Sequence, residues 1–336
     1  MPSNLYEMVY RTKLDAIETQ EAIKYIKDNF ENRLAYVLNL TRVSAPVMLF
    51  KHTGLNDYLS GNENPVTLEA PNLEGEIEIV QSLAKWKRYA LKKYGFRKNE
   101  GLYADMNAIR INEKPDFLHS IYVDQWDWEK IIKVSDRKEK YLKKVVNDIY
   151  SVLRSLEINV CKKYAGLKKQ LPKKITFITT EELEKLYPEM SPRDREYEIV
   201  KKKKAVFLMQ IGAPLSNGEP HDTRAADYDD WKLNGDLLVY SKLLDTVIEL
   251  SSMGIRVNAE SLQEQLTSRG QEAELENNPY VKAVVNGELP LSIGGGIGQS
   301  RICMFLLQKA HIGEVQASVW KKEEVDLLAA NNIHLL

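Results

Sequence analysis

The chain has 336 residues, 43% hydrophobic and 28% charged, with 47 Lys+Arg against 48 Asp+Glu and a formal net charge of −1. That length buries a large core and stands just above the size at which single cores begin to divide. The near-neutral balance argues against a surface built throughout to hold nucleic acid, although a local basic patch stays compatible with it.

In chain order, Met1-Pro-Ser-Asn-Leu-Tyr-Glu7 carries no apolar signal region, and no stretch of the chain approaches the ~18 apolar residues of a membrane span. The expectation is a cytoplasmic protein without a membrane partner. From about Lys13 to Leu38, the residues Ile17, Ile23, Ile26, Phe30 and Leu34 recur at helical spacing and predict an amphipathic helix. Val43-Ser-Ala-Pro-Val-Met-Leu-Phe50 reads as a strand that begins at its proline. Glu76-Ile-Glu-Ile-Val80 alternates like a strand, and Ser82 is placed to cap a helix over Leu83–Ala90. On that helix Lys85 and Lys87 read, each alone, as solvated. Tyr103–Arg110 and Ser120–Glu129 predict two strands joined by a polar loop through Pro115. If Tyr122 and Trp126 face one way, Gln125 faces the other; the tryptophans read as core.

Tyr141, Val145, Ile149, Val152, Leu156 and Val160 predict a long helix over Lys138 to about Lys163, which holds Cys161. The second cysteine, Cys303, also falls in a helical pattern, so two buried thiols are expected rather than a disulfide. Lys173–Ile178 is a strand. Thr179 with Glu182 forms a capping box, and Ser191 with Pro192 opens another helix. The Lys201–Lys204 run reads as a solvated helix end, favoured by the dipole. Ala205–Ile211 is a buried strand.

The loop His221-Asp-Thr-Arg-Ala-Ala-Asp-Tyr-Asp-Asp230 is either solvated or a cover for a site. Its His221 and Asp222 lack the spaced partners of a zinc site. Two further strands, Gly235–Tyr240 and Thr246–Arg256, precede two short helices. The chain then reaches Leu291-Ser-Ile-Gly-Gly-Gly-Ile-Gly-Gln-Ser-Arg301 and the apolar run Ile302–Gln308. These predict a strand, a glycine-tight junction and a core helix with one arginine at its start. Neither a P-loop nor a dinucleotide fingerprint fits that glycine spacing. A strand–helix crossing with a structural arginine is the alternative reading.

Gly294-x-Gly296-x-Gly298-x-x-Arg301 resembles the third signature motif of class II aminoacyl-tRNA synthetases, a strand–helix unit whose arginine holds ATP. The helix and Pro46 strand near the start resemble the first motif, which builds a dimer interface. The two strands through Arg110 resemble the second, whose arginine meets the α-phosphate. Gln81-Ser-x-x-x-x-Lys87 is similar to the amino-acid-binding segment of aspartyl-tRNA synthetases, with Lys87 as the carboxylate-binding lysine. Glu249-Leu-Ser-Ser-x-Gly-x-Arg256 resembles the segment before motif three in aspartyl- and asparaginyl-type enzymes. Only about 35 residues precede motif one, too few for an anticodon-binding barrel. With Ser120–Glu129 and Ala226–Trp231, these segments resemble the family of ammonia-dependent asparagine synthetases over almost the whole chain.

The resemblance implies an α+β fold, a mainly antiparallel sheet flanked by helices, as a single catalytic domain over residues 1–336 and a homodimer. It implies ATP as substrate and Mg2+ as cofactor. Asparagine would form from aspartate and ammonia through a β-aspartyl-adenylate, releasing AMP and pyrophosphate, with no tRNA partner. Arg110 and Arg301 would act on the phosphates, beside Gly296 and Gly298; Asp236 and Glu249 would hold magnesium. Ser251 or Ser252 would contact phosphate, and Lys87, Gln125 and Arg256 would bind aspartate. Asp57 and Asp229, with Asp124 in reserve, are the candidates for binding ammonium and accepting its proton. Glutamine as nitrogen source is disfavoured, because position 2 is Pro and both cysteines lie deep in the chain. A truncated synthetase paralogue acting on tRNA and a non-catalytic regulatory module are the alternatives.

Overall fold

The computed structural model describes residues 10–59 and 64–336, so the reading of Met1–Glu7 lies outside the described residues. The first helix, α1 (Ala16–Leu38), starts three residues later than its periodicity suggests. Asp15 and Glu18 form a capping box there: Asp15 accepts from the Glu18 amide at 2.8 Å and Glu18 from the Asp15 amide at 3.0 Å. Ala22, Ile26, Phe30, Leu34 and Leu38 form its buried stripe, while Ile17 is 71% exposed and off that face.

The strand expected from Pro46 to Phe50 forms at Met48–Phe50, and a separate short strand precedes it. β1 (Leu40–Arg42) pairs parallel with β5 (Gly101–Ile109), and β2 (Met48–Phe50) belongs to a different sheet. Pro46 lies in the crossing between them; its missing N–H suits a break better than a ladder position. β2, β3 (Thr67–Leu68) and β4 (Ile77–Ile79) make a three-stranded sheet in the order β2-β4-β3. Next comes α2 (Ala84–Lys93), with Leu83 at the N-cap position; the Ser82 hydroxyl accepts from the Ala84 amide at 3.1 Å.

The main sheet has eight strands in the order β1-β5-β6-β11-β10-β9-β8-β7. Its other members are β6 (Tyr122–Ile131), β7 (Thr176–Thr179), β8 (Ala205–Met209), β9 (Asp229–Ser241), β10 (Thr246–Arg256) and β11 (Ser292–Gly298). Pairing is antiparallel except for β1 with β5 and β7 with β8. Around it lie α3 (Glu139–Lys163), α4 (Thr180–Leu186), α5 (Pro192–Lys203), α6 (Ala259–Ser268), α7 (Glu274–Asn277), α8 (Pro279–Val285), α9 (Gln299–Leu307) and α10 (Lys322–Ala330). Three helical segments, not two, therefore separate β10 from β11. Pro279 starts α8 with no N–H to donate and Asn278 caps it, which splits α7 from α8. The Thr179–Glu182 box and the Ser191 cap are both present. Cys303 is buried and Cys161 half-buried, and both are free.

β6 shows how alternation divides core from site. Trp126 and Trp128 face the main core, where Phe30 of α1 stacks on Trp126 with ring centroids 4.6 Å apart. Gln125, Asp127 and Glu129 point to the opposite face. Beside them runs β11, and its glycines serve the sheet interior more than the strand–helix junction. A Cβ on Gly294 would overlap the Glu129 carboxylate, and one on Gly296 the Gln125 amide. Glycine there lets a neighbour's polar side chain lie flat across the strand. No helix among the described residues is long and apolar enough to cross a membrane.

Candidate active site

Over that glycine floor lies a cavity of about 570 Å³ with Lys87, Gln125, Asp127, Asp229, Ser252 and Arg256 in its walls. Its charges are locked in pairs. Arg256 is 2% exposed and donates to Glu129 through Nε at 3.0 Å and Nη2 at 2.7 Å, and to Asp229 through Nη1 at 2.5 Å. Glu129 also accepts from the Ser292 hydroxyl at 2.6 Å. Burial pushes the Glu129 carboxyl up, but Arg256 more than offsets this and holds it below the usual range. For Asp229 burial wins over Arg256, and its carboxyl is raised. Lys87 is paired with Asp127 and donates to the Gly295 carbonyl at 2.9 Å. Asp229 was expected in the acidic loop; it is the first residue of β9, buried and tied to Arg256.

A smaller cavity of about 240 Å³ adjoins this one, sharing Arg110, Glu113, Gln125, Glu249 and Gly296 with it, and adds Ser251, Gly298 and Arg301. Contacts here are sparse. Arg110 donates to the Gln81 carbonyl at 3.1 Å; Arg301 donates to the Glu249 carbonyl at 3.0 Å, with the Glu249 carboxylate 3.8 Å away. A bulge in β10 separates Glu249 from the two serines, which alternate to opposite sides of the strand. Glu249 pairs with Leu238 and Ser251 with Leu237, which leaves Leu250 as the extra residue. Ser251 donates to the Gly296 carbonyl at 2.8 Å, whereas Ser252 lines the larger cavity.

Asp236 lies beyond Glu249 in a third recess, of about 640 Å³. One Asp236 oxygen pairs with Arg224, and the other is buried with no partner among the described residues. Burial pushes this carboxyl up to about 8, Arg224 opposing and the Glu249 charge adding to the rise. Two acids that repel each other, one with a free oxygen, fit a divalent cation. Among the described residues no group of three or more His, Cys, Asp or Glu forms a closed metal cage. Magnesium needs none: one or two carboxylates completed by substrate phosphates suffice.

The 221–230 segment is anchored along most of its length, with only Asp222 and Thr223 exposed. His221 is buried with Nε2 at 2.8 Å from Glu196, Asp227 meets Lys85 at 2.8 Å, and Trp231 donates to the Ala225 carbonyl at 3.1 Å. Lys85, read as solvated, is buried by that pair. Asp57 lies between this strap and α2, 2% exposed, and accepts from the Leu59 amide at 2.9 Å. Burial pushes its carboxyl up to about 6, with Lys85 opposing. Asp124 is engaged elsewhere. It accepts from the Ser300 amide at 3.0 Å and from Lys27 at 3.1 Å, beside the smaller cavity.

A family model for aspartate–ammonia ligase matches residues 17–332 of this chain. The chain belongs to the aspartate–ammonia ligase family. As a member of that family it is an enzyme, an aspartate–ammonia ligase. The aspartate–ammonia ligase of Ruminiclostridium cellulolyticum is 54% identical over 328 residues, 97% of each chain. That of Fusobacterium nucleatum is 53% identical over 329 residues, 98% of this chain and 100% of the relative. Among solved structures, asparaginyl-tRNA synthetase from Pyrococcus horikoshii complexed with asparaginyl-adenylate is similar with a TM-score of 0.63 at 13% identity, over 90% of this chain and 70% of that one. Entamoeba histolytica asparaginyl-tRNA synthetase in complex with asparaginyl-adenylate gives 0.61 at 14%, over 89% of this chain and 66% of that one. At such identities the likeness shows the fold alone, the class II synthetase catalytic fold.

In this ligase the residues singled out from sequence fall into three neighbourhoods. Lys87, Gln125, Asp229, Ser252 and Arg256 line the large cavity, and Arg110, Glu249, Ser251, Gly296, Gly298 and Arg301 line the smaller one. Asp236 lies in the third recess with Glu249 and Arg301, and Asp57 at the far wall of the large cavity. Five charged residues were missed in these pairings: Asp127, Glu129, Arg224, Lys85 and Asp227. Alternation from Gln125 already puts Asp127 and Glu129 on the site face, so that signal was available. Nothing local marks the Lys85–Asp227 and Arg224–Asp236 pairs, whose members come from different elements.

Proposed function

We propose that the large cavity binds aspartate and the smaller one ATP, and that the enzyme joins aspartate to ammonia through a β-aspartyl-adenylate. The observation that carries this reading is the contact between the two cavities. Fixed cations for a dicarboxylate, Lys87 and Arg256, stand beside two arginines, Arg110 and Arg301, suited to phosphate. The nitrogens of Arg256 are engaged by Glu129 and Asp229, so an incoming carboxylate shares the guanidinium with Asp229 or displaces it.

In the first step a side-chain carboxylate oxygen of aspartate attacks the α-phosphorus of ATP. An O–P bond forms, the bond to the β-phosphate bridge breaks, and pyrophosphate leaves with the electron pair. Arg110 and Arg301 supply permanently charged donors to the crowded phosphorus. Asp236 and Glu249 would hold a magnesium ion, whose chemistry when bound is to neutralise the departing pyrophosphate. In the second step ammonium gives one proton to Asp57, and the freed lone pair attacks the β-carbonyl carbon. The C–O bond to phosphate then breaks, AMP leaves, and nitrogen loses its remaining extra proton to solvent. A raised carboxyl suits Asp57 to that exchange, because it binds a proton more readily than a solvated aspartate does. The chain would work as one catalytic domain, in the cytoplasm, as a homodimer.

Purified protein given ATP, magnesium, aspartate and ammonium should yield asparagine, AMP and pyrophosphate in equal amounts. ADP and phosphate as the stoichiometric nucleotide products would overturn the adenylate step. Equal activity with glutamate would overturn the aspartate assignment.

A further inference from the structure

The aspartate cavity has a neighbour that the reaction above leaves unused, a cavity of about 400 Å³. The two share Asp57, Leu59, Arg224 and Ala225 in their walls. The remaining walls are different: the Lys85–Asp227 pair stands on one side, while Gln271 and Glu274 stand at its helical rim. Gln271 is exposed and Glu274 half-buried, whereas Asp57 at the shared wall is buried. This space therefore reaches from solvent near α7 to the same carboxylate that the aspartate cavity reaches from its own side.

Two of its carboxylates are without a salt-bridge partner among the described residues and can meet a small cation. Lys85 is committed to Asp227 at 2.8 Å and Arg224 to Asp236 and Asp222. Arg269 lies over the Trp231 ring, 5.3 Å from its centroid. Two carboxylates remain, Glu274 near the rim and Asp57 inside. Glu274 accepts only from the Asn278 amide, at 2.9 Å, among the described residues. One Asp57 oxygen is buried with no hydrogen-bond partner among the described residues.

Timing supplies the reason for a separate approach. An acyl-adenylate is hydrolysed if water reaches it, so aspartate and nucleotide must fill and close their cavities before nitrogen arrives. The last substrate is also the smallest, and in neutral water it is mostly a cation. From the shared Asp57 wall and the rim carboxylate we infer that this cavity is the entrance for ammonium: Glu274 draws the cation in, and Asp57 receives it beside the activated carbon. The inference rests on the adenylate reading above and names the route by which that reaction takes its nitrogen. A carboxylate at the rim of a low-dielectric cavity attracts a cation locally, with Arg269 the opposing charge in the wall.

Three rim variants test it: Glu274→Lys, Glu274→Gln and Gln271→Trp. The half-reaction without nitrogen, aspartate-dependent exchange of pyrophosphate into ATP, reports folding and adenylate formation. Glu274→Lys should raise the KM for ammonium by roughly three- to tenfold, the size of a partly screened charge interaction, and less so at high salt. Glu274→Gln should show a smaller rise in the same direction. Gln271→Trp should slow amide formation sterically. Hydroxylamine, a nucleophile largely uncharged at neutral pH, should be hindered by Gln271→Trp but not by Glu274→Lys. Exchange and the KM for aspartate should not change in any of the three. Unchanged ammonium dependence in both Glu274→Lys and Gln271→Trp, with exchange intact, would overturn the entrance. Absence of aspartate-dependent exchange in the unsubstituted enzyme would instead overturn the adenylate reading on which it rests.

Discussion

The two ends of the candidate site are built in opposite ways. At the proposed aspartate end Lys87 and Arg256 are 1% and 2% exposed, and each is held by a carboxylate of the sheet. At the proposed nucleotide end the Arg301 and Glu249 side chains are 26% and 41% exposed, and among the described residues Arg110 and Arg301 each make a single hydrogen bond, to a backbone carbonyl. A small dicarboxylate gives an enzyme few contacts, so the cations that read it must be fixed before it arrives. A triphosphate brings its own charge and reach, and arginines on sparse contacts can settle around it. Fixed geometry therefore costs desolvated charges at one end, while the other end spends order only when nucleotide binds.

The largest expected effect lies at the buried end. Arg256→Met leaves Glu129 and Asp229 without their cation, which should cost about 3–5 kcal/mol of stability and abolish measurable activity. Urea midpoints with an unchanged m-value would read the loss. Arg256→Lys keeps the charge but not the fork, and should raise the aspartate KM substantially. At the open end Arg110→Ala should lower kcat on the order of 10²–10³-fold and leave the urea midpoint near its original value. If Arg110→Ala destabilised the fold as much as Arg256→Met, the contrast between the ends would be gone.

Asp57 sharpens the comparison, because it is buried and yet not locked by a direct ion pair. Its carboxyl is raised from 3.8 to about 6, so the folded chain holds that proton more tightly than the unfolded chain. Ionised Asp57 therefore costs stability above pH of about 6, and the cost fades as pH falls from about 6 toward 4. Asp57→Asn should then stabilise the protein at pH 7 by roughly 1–3 kcal/mol, with the gain vanishing near the lower end of that range. The same variant should retain pyrophosphate exchange but form asparagine poorly at low ammonium. Since the proposed proton acceptor must be ionised, ammonium use in the native enzyme should fall below pH of about 6. The smallest effect is a control away from both ends. Thr179→Ala removes the α4 cap and should cost about 1 kcal/mol without altering kinetics.

How much was legible in the sequence depended on whether the signal was local. Period-two alternation placed Gln125 opposite Trp126, and the spacing around Arg301 placed it early in α9; both hold in the structure. Capping at Thr179 and Ser191 was local chemistry and equally readable. The strand expected from Pro46 exists at Met48–Phe50, but β propensity carries no information about which sheet a strand joins. Asp229 was assigned to a loop on composition, since its partner Arg256 is 27 residues away and on another strand. Lys85 looked like an ordinary surface lysine because its partner, Asp227, is 142 residues distant. Charge pairs across elements are set by the sheet order, which no single window contains.

The central claim is that the side-chain carboxylate of aspartate attacks the α-phosphorus. It is tested most directly with aspartate carrying 18O in that carboxylate, followed by mass analysis of asparagine and nucleotide after one turnover with ammonium. The account predicts one 18O atom in AMP and one in the asparagine amide carbonyl, with unlabelled pyrophosphate. Label in inorganic phosphate beside unlabelled ADP, or AMP free of 18O, would contradict it.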